Sequence, residues 1–204
     1  LISLKTTSSQ NHAWGITTCQ IDQQLLTLGK FALNQVAGIF ADGTPFNAPT
    51  TDSLPAPLDI DVQTKNATLY LAIPLQQSDQ AQISLNPKLD EPRYHSDTIT
   101  CHDIIKDSQQ SAEIQLARLS LKLMLDSEDR SQYTCIPITQ IKEVRSNGEI
   151  ILEADYLIPC LTTTACSQLS QFIVETHSLL AHRADMIAAR LTDNQQSTNA
   201  ELAD

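Results

Sequence analysis

EIQLARLSLKLML, Glu113–Leu125, is the stretch whose reading decides the fold. Leu119, Leu121, Leu123 and Leu125 alternate with Ser120, Lys122 and Met124, the period-2 pattern of a strand with one buried face. Leu, Lys, Met and Arg also favour helix, but on a helical wheel the four leucines would spread too widely to form one face. Ile114 and Leu116 fall in the opposite phase. A β-bulge is therefore expected at Ala117–Arg118, where one extra residue would return both halves to the same core face. A second apolar run, Cys135–Arg145, leads through Ser146-Asn147-Gly148 to Ile150–Leu152. Asn-Gly between apolar runs signals a hairpin, because both residues tolerate positive φ. The whole segment reads as a hydrophobic β-meander, with Asp126-Ser127-Glu128-Asp129 as a charged, solvated turn.

Towards the N-terminus the same signals recur. Trp14–Ile21 is strand-like, Asp22 can cap a helical turn through Leu26, and Gly29 ends it. Ala41-Asp42-Gly43-Thr44 separates two extended runs, so 30–48 is expected to be a hairpin. Pro49, Pro55 and Pro57 deny residues 47–59 the amides of a central strand. Prolines on both sides of Ala56 favour polyproline II, a pre-ordered surface that a partner can bind without a large ordering cost. Leu54, Pro55 and Pro57 are accordingly candidate partner contacts, against the blander reading of a crossover between sheets. Thr68–Leu75 and Ile83–Leu85 read as strands, 86–97 as a polar surface loop, and Thr98–Ile105 as a further strand. About nine short strands at close spacing favour an antiparallel β-sandwich or barrel over alternating βαβ units.

From Ser167, a candidate N-cap, the period changes. Leu169, Phe172, Ile173, Leu180 and Ile187 share one face at helical spacing and form a candidate self-association seam. The expected organisation is a leading segment 1–13, a β-domain 14–164, a helix 165–191 and a polar, disordered tail 192–204. A chain that starts at Leu is read as a fragment.

Composition narrows the function. With 13 Lys+Arg against 24 Asp+Glu and a net charge of −11, the chain should repel nucleic acid and anionic membrane. No apolar run approaches a membrane span. Five cysteines at irregular spacing read as reduced thiols of a cytoplasmic protein, with Cys135 and Cys160 packing as small hydrophobes. Catalytic motifs are missing: there is no Gly-x-Ser-x-Gly elbow and no glycine-rich phosphate loop. Cys101 and His102 are adjacent, Cys160 and Cys166 are too far apart for a knuckle, and His177 and His182 do not share a helix face. No enzyme activity, metal or cofactor is expected. By its residues the chain is an acidic interaction module.

Several segments, in their order and spacing, resemble the TssK family, baseplate components of bacterial type VI secretion. They are Gly38–Phe46 (GIFADGTPF), Leu54–Leu58 (LPAPL), Ala112–Leu125, Ile136-Pro137-Ile138, Tyr156–Leu161 (YLIPCL) and Leu179–Ala184 (LLAHRA). The resemblance covers roughly residues 14–191. It implies a β-sandwich similar to the shoulder of siphophage receptor-binding proteins, followed by the first helix of a bundle through which the protein trimerises. It further implies a structural adaptor that attaches to the wedge proteins TssF and TssG. Docking to the membrane complex, TssL and TssM, would need a C-terminal domain that this sequence does not contain. The acidity and the residues after Leu191 are outside what the resemblance explains. The alternatives are a phage-tail receptor-binding or shoulder module and a small-ligand-binding sandwich.

Overall fold

The computed structural model describes residues 13–76, 83–84, 92–102 and 111–201. Residues 1–12, most of the expected leading segment, lie outside the described residues, as do Leu85 of the expected strand 83–85, 86–91 of the expected loop and 103–105 of the expected strand 98–105. The chain divides into two compact units, Leu1–Cys166 and Ser167–Asp204.

The first unit is built from short sheets. Strands β1 (Gly15–Ile21), β3 (Leu33–Ile39) and β4 (Pro45–Ala48) form an antiparallel sheet in the order β1-β3-β4. Between β1 and β3 run the short helix α1 (Gln23–Thr27) and β2 (Lys30–Phe31), which pairs with β5 (Leu58–Asp59). The largest sheet takes β6 (Lys65–Pro74), β10 (Lys122–Leu125), β11 (Tyr133–Val144) and β12 (Ile150–Leu152) in the antiparallel order β10-β6-β11-β12. A third sheet holds β7 (Ile83–Ser84), β8 (Tyr94–His102) and β9 (Ser111–Leu119), antiparallel except for the two-residue β7–β8 pair.

Alternation along these strands delivers one shared core. Ile16, Phe31, Val36, Phe46, Leu69, Leu71, Ile73, Leu119, Leu123, Ile136, Ile141 and Ile150 belong to a single buried cluster. Each such side chain contributes about 1.5–3 kcal/mol of transfer free energy. Phe40 and Phe46 add a tilted ring pair with centroids 4.6 Å apart. Pro137, which cannot donate to a ladder, sits where the register of β11 against β6 shifts between Pro137 and Thr139.

The local signals at the turns are met. The Asp22 carboxylate accepts from the amides of Gln24 and Leu25, so α1 is capped as its sequence requires. At Phe40–Thr44, Gly43 N–H donates to Phe40 O at 2.9 Å and Asp42 Oδ1 accepts from Thr44 N–H at 2.9 Å. Arg145–Glu149 repeats this design: Gly148 N–H donates to Arg145 O at 2.8 Å, and Asn147 Oδ1 accepts from Glu149 N–H at 3.1 Å. In both turns the glycine alone carries positive φ, 83° at Gly43 and 89° at Gly148. The hairpin thus needs a left-handed residue at Gly148 but not at Asn147, the three-residue turn with a glycine bulge rather than the two-residue Asn-Gly turn.

The deciding stretch departs from its reading in an informative way. No bulge occurs at Ala117–Arg118, since β8 and β9 pair in unbroken register from Tyr94↔Leu119 to His102↔Ser111. Instead the chain leaves one sheet at Leu119 and enters another at Lys122, where β10 pairs with β6. Ile114 and Leu116 need no return to the core, because they stay 44% and 37% exposed. Nor is the segment a meander: β6 lies between β10 and β11. The ten residues of β6 offer both edges, so consecutive strands pair with it rather than with each other. The assignment of 86–97 to a surface loop also fails in its second half. Tyr94 begins β8, and Pro92 and Arg93 are buried.

The second unit is one helix, α2, Ser167–Glu201. Ser167 is its first residue rather than its cap, and its hydroxyl bonds the Gln168 side chain at 3.1 Å. The expected end near Leu191 and the tail from 192 are corrected as far as Glu201, to which α2 continues; 202–204 lie outside the described residues. The apolar period stops at Leu191, but the following residues contain neither Gly nor Pro, so nothing local breaks the backbone ladder.

Candidate functional site

The proline-bearing segment after β4 lies against β8 and β9 and is fastened there by two side chains. The buried Asp52 carboxylate accepts from Asn47 N–H at 3.0 Å, Thr51 Oγ1 at 3.0 Å and, across the fold, Leu119 N–H at 3.1 Å. Arg118, on β9, donates through Nη1 to Thr51 O at 2.7 Å while its Nε pairs with Asp97 at 2.6 Å. Ser53 Oγ and His95 Nε2 stand 3.4 Å apart beside these contacts. A segment held at so many points keeps one conformation, which prolines 49, 55 and 57 reinforce.

Beyond these fastenings the segment overhangs a cavity of about 390 Å³. Leu54, Ala56, Pro74, His95, Leu121 and Tyr133 line it. Ser120 and Lys122 complete it where the chain crosses from β9 to β10. The Lys122 ammonium lies 5.4 Å from the centroid of the Tyr133 ring. The three candidate contact residues are placed differently. Leu54 is half-buried and packs on the core, Pro55 is buried, and Pro57 is exposed. Pro55 therefore positions the segment, whereas Ala56 and Pro57 face outward.

No sequence signal points to Arg93, which is 3% exposed. Its guanidinium donates to Pro74 O, Asp42 Oδ2 and Thr44 Oγ1, each at 2.6 Å, and so joins the β3–β4 turn, the end of β6 and the start of β8. Burial opposes ionisation of Asp42, but the bonds from Thr44 and the Arg93 guanidinium outweigh it and hold the carboxyl below its usual value. Burial pushes the Cys19 thiol up to about 11. Tyr94 and the alternation after it were the available clue that a strand begins there; nothing local marks Arg93 as buried.

On α2, Phe172, Ile173, Leu180 and Ile187 are exposed and Leu169 is half-buried. At about 100° per residue the five fall within roughly 100° of arc, one apolar stripe. Val174, Leu179 and Met186 are exposed as well, so apolar surface extends past the stripe. Among the described residues no group of three or more His, Cys, Asp and Glu could hold a metal ion. Among the described residues no helix is long and apolar enough to cross a membrane.

Comparison with known proteins meets the resemblance read from Gly38–Phe46 and the other segments. A family model described as bacterial type VI secretion, VC_A0110, EvfL, ImpJ, VasE matches residues 1–204. The chain is 29% identical over 192 residues to the type VI secretion system baseplate component TssK1 of Pseudomonas aeruginosa, covering 94% of this chain and 43% of that protein. A crystal structure of TssK superposes with a TM-score of 0.82 at 30% identity, over 93% of this chain and 43% of the other. TssK in a cryo-electron microscopy structure of the TssK-TssF-TssG baseplate subcomplex shares the fold, with a TM-score of 0.77 at 21% identity over 92% of this chain and 64% of that one. The chain thus spans less than half the length of the first two relatives.

Proposed function

The chain belongs to the bacterial type VI secretion family of VasE and ImpJ, and from this we propose that it is a non-enzymatic structural adaptor of the secretion baseplate, working in the cytoplasm. Its β-unit is the shell that binds the wedge proteins TssF and TssG. Its helix α2 opens a bundle through which three copies associate, with Leu169, Phe172, Ile173, Leu180 and Ile187 in the seam. Leu54, Pro55 and Pro57 belong to the partner-facing segment. The membrane complex of TssL and TssM is reached through further parts of the full-length family protein.

The observation that carries this reading is the match along 94% of the chain to a baseplate component. The relative found in a TssK-TssF-TssG subcomplex supplies the partner class. The exposed apolar stripe of α2 supports association, because a helix with Phe172, Ile173 and Leu180 in water gains about 25 cal/mol per Å² of apolar area that a partner covers. Co-expression with TssF and TssG, affinity capture and native mass measurement test it. A complex holding three copies of the chain and both wedge proteins is expected. Phe172→Glu with Leu180→Glu should reduce the free chain to a monomer without altering the melting of the β-unit. A folded parent chain that captures neither wedge protein and is monomeric by mass refutes the proposal.

A further inference from the structure

We infer that the apolar face of α2 is completed by a helix of different sequence, one that brings a carboxylate to Arg183. The inference rests on the reading of α2 as the opening helix of a bundle, and adds to it the chemistry of the helix that covers it.

The observation is where Arg183 sits. Phe172, Leu179 and Met186 recur every seven residues, as do Ile173, Leu180 and Ile187, and all six are exposed. At about 100° per residue the two rows flank a midline through Thr176 and Arg183, and together they span about 140° of the helix. The residues that face a helical side chain are those three and four positions away. For Arg183 these are Leu179, Leu180, Met186 and Ile187, all apolar. Among the described residues Arg183 makes no ion pair. The nearest carboxylates of α2 do not reach this place. Asp185, two positions on, lies about 160° around the helix, and Glu175 is about 12 Å away along the axis.

A face this wide exceeds the narrow seam of a two-row coiled coil, so α2 takes more than one neighbour. Covering it removes water from the Arg183 guanidinium, and a buried charge is tolerated only when an opposite charge pairs with it. Copies of α2 in register set Arg183 against Arg183 and supply no acid. The helix that completes the face therefore carries apolar residues on both sides of one Asp or Glu. The chain covers 43% of TssK1, and we place that helix in the further parts of the full-length protein.

The test compares Arg183→Leu with the parent in two settings, with His182→Leu, just outside the apolar face, as the control. In the chain of residues 1–204 the substitution removes an unpaired charge from the middle of the face. Self-association, measured by sedimentation equilibrium, should tighten about tenfold or more. In the full-length protein the same change orphans a buried carboxylate, so the thermal midpoint of the helical signal should fall by about 5 °C or more. Arg183→Lys keeps the charge and should restore part of that loss. The deficit of Arg183→Leu should also shrink as pH falls towards about 4, because the orphaned carboxylate then takes up a proton.

A full-length midpoint that Arg183→Leu leaves unchanged or raises overturns the inference and leaves the adaptor reading standing. Weaker self-association of the shorter chain overturns it too, because copies of α2 would then be pairing the guanidinium themselves. A deficit that is equal at every pH overturns the carboxylate in favour of a neutral acceptor. Capture of neither wedge protein overturns the adaptor reading, while the two measurements on Arg183→Leu still decide this inference.

Discussion

Replacing Arg93 with methionine keeps an unbranched apolar stem and deletes the guanidinium, and with it the bonds to Asp42, Thr44 and Pro74. Bonds to a charged group stabilise by about 1.5–3 kcal/mol each, a gross loss of about 4–9 kcal/mol. Two effects offset much of this. Removing a buried charge recovers several kcal/mol of desolvation, and Arg93 Nε is buried without a partner, so compensation was incomplete from the start. Asp42, 30% exposed, re-hydrates instead of remaining an orphaned charge. The net cost is then about 2–4 kcal/mol, at or just below the range for breaking a buried pair by removing one member. Urea unfolding followed by the fluorescence of Trp14, the single tryptophan, reports on the β-unit. With a slope near 2 kcal/mol per M, the midpoint should fall by about 1–2 M. The sign of the pH dependence follows from Asp42, whose carboxyl is held below its unfolded value of 3.8. Its contribution is fully present above that value and is lost as pH falls through the lower, folded one. The gap between parent and variant should therefore narrow in acid. A midpoint within about 0.3 M of the parent at pH 7, or a gap that widens in acid, refutes the reasoning.

Asp52→Ala removes an acceptor from the amides of Asn47 and Leu119 and should cost about 2–4 kcal/mol, read as a lower urea midpoint; Asp52→Asn, which keeps one carbonyl oxygen, should cost less. Gly38→Ala places a Cβ against the Gly15 carbonyl oxygen and 2.9 Å from Phe46 Cζ. It should destabilise by about 3 kcal/mol or more, and a variant that melts with the parent would show that β1 and β3 can part at no cost. Cys19, with its thiol near pKa 11, should be alkylated at pH 8 about 100-fold more slowly in the folded chain than in urea, as peptide mass spectrometry would measure. Equal rates in the two states would deny that burial protects it.

Much of the β-unit was legible because its signals are local. Asp22 caps α1 from two residues away, and Gly43 and Gly148 mark their turns through a backbone conformation that few other residues adopt. The apolar stripe of α2 was equally visible, since the helical period is a property of the segment itself. Its length was not, because the end was inferred from the loss of apolar periodicity, and backbone hydrogen bonding does not require apolar side chains. The candidate contacts Leu54, Pro55 and Pro57 were one segment in sequence but divide into buried and exposed residues once the core claims Pro55.

What the sequence by itself determined was most of the strands, the glycine turns between them, the start of the helix and, through ordered segments such as Gly38–Phe46, the family. What only the tertiary structure decided was which strands pair and what the pairing encloses. Alternation says that a strand has two faces, but not whose edge lies beside it. It therefore could not show that β6 separates β10 from β11, or that the chain changes sheets after Leu119. The same holds for the cavity and its fastenings. Asp52 and Leu119 are 67 residues apart, and Arg93 reaches Asp42 across 51. No local pattern encodes such a meeting; it exists only after the sheets have closed over one core.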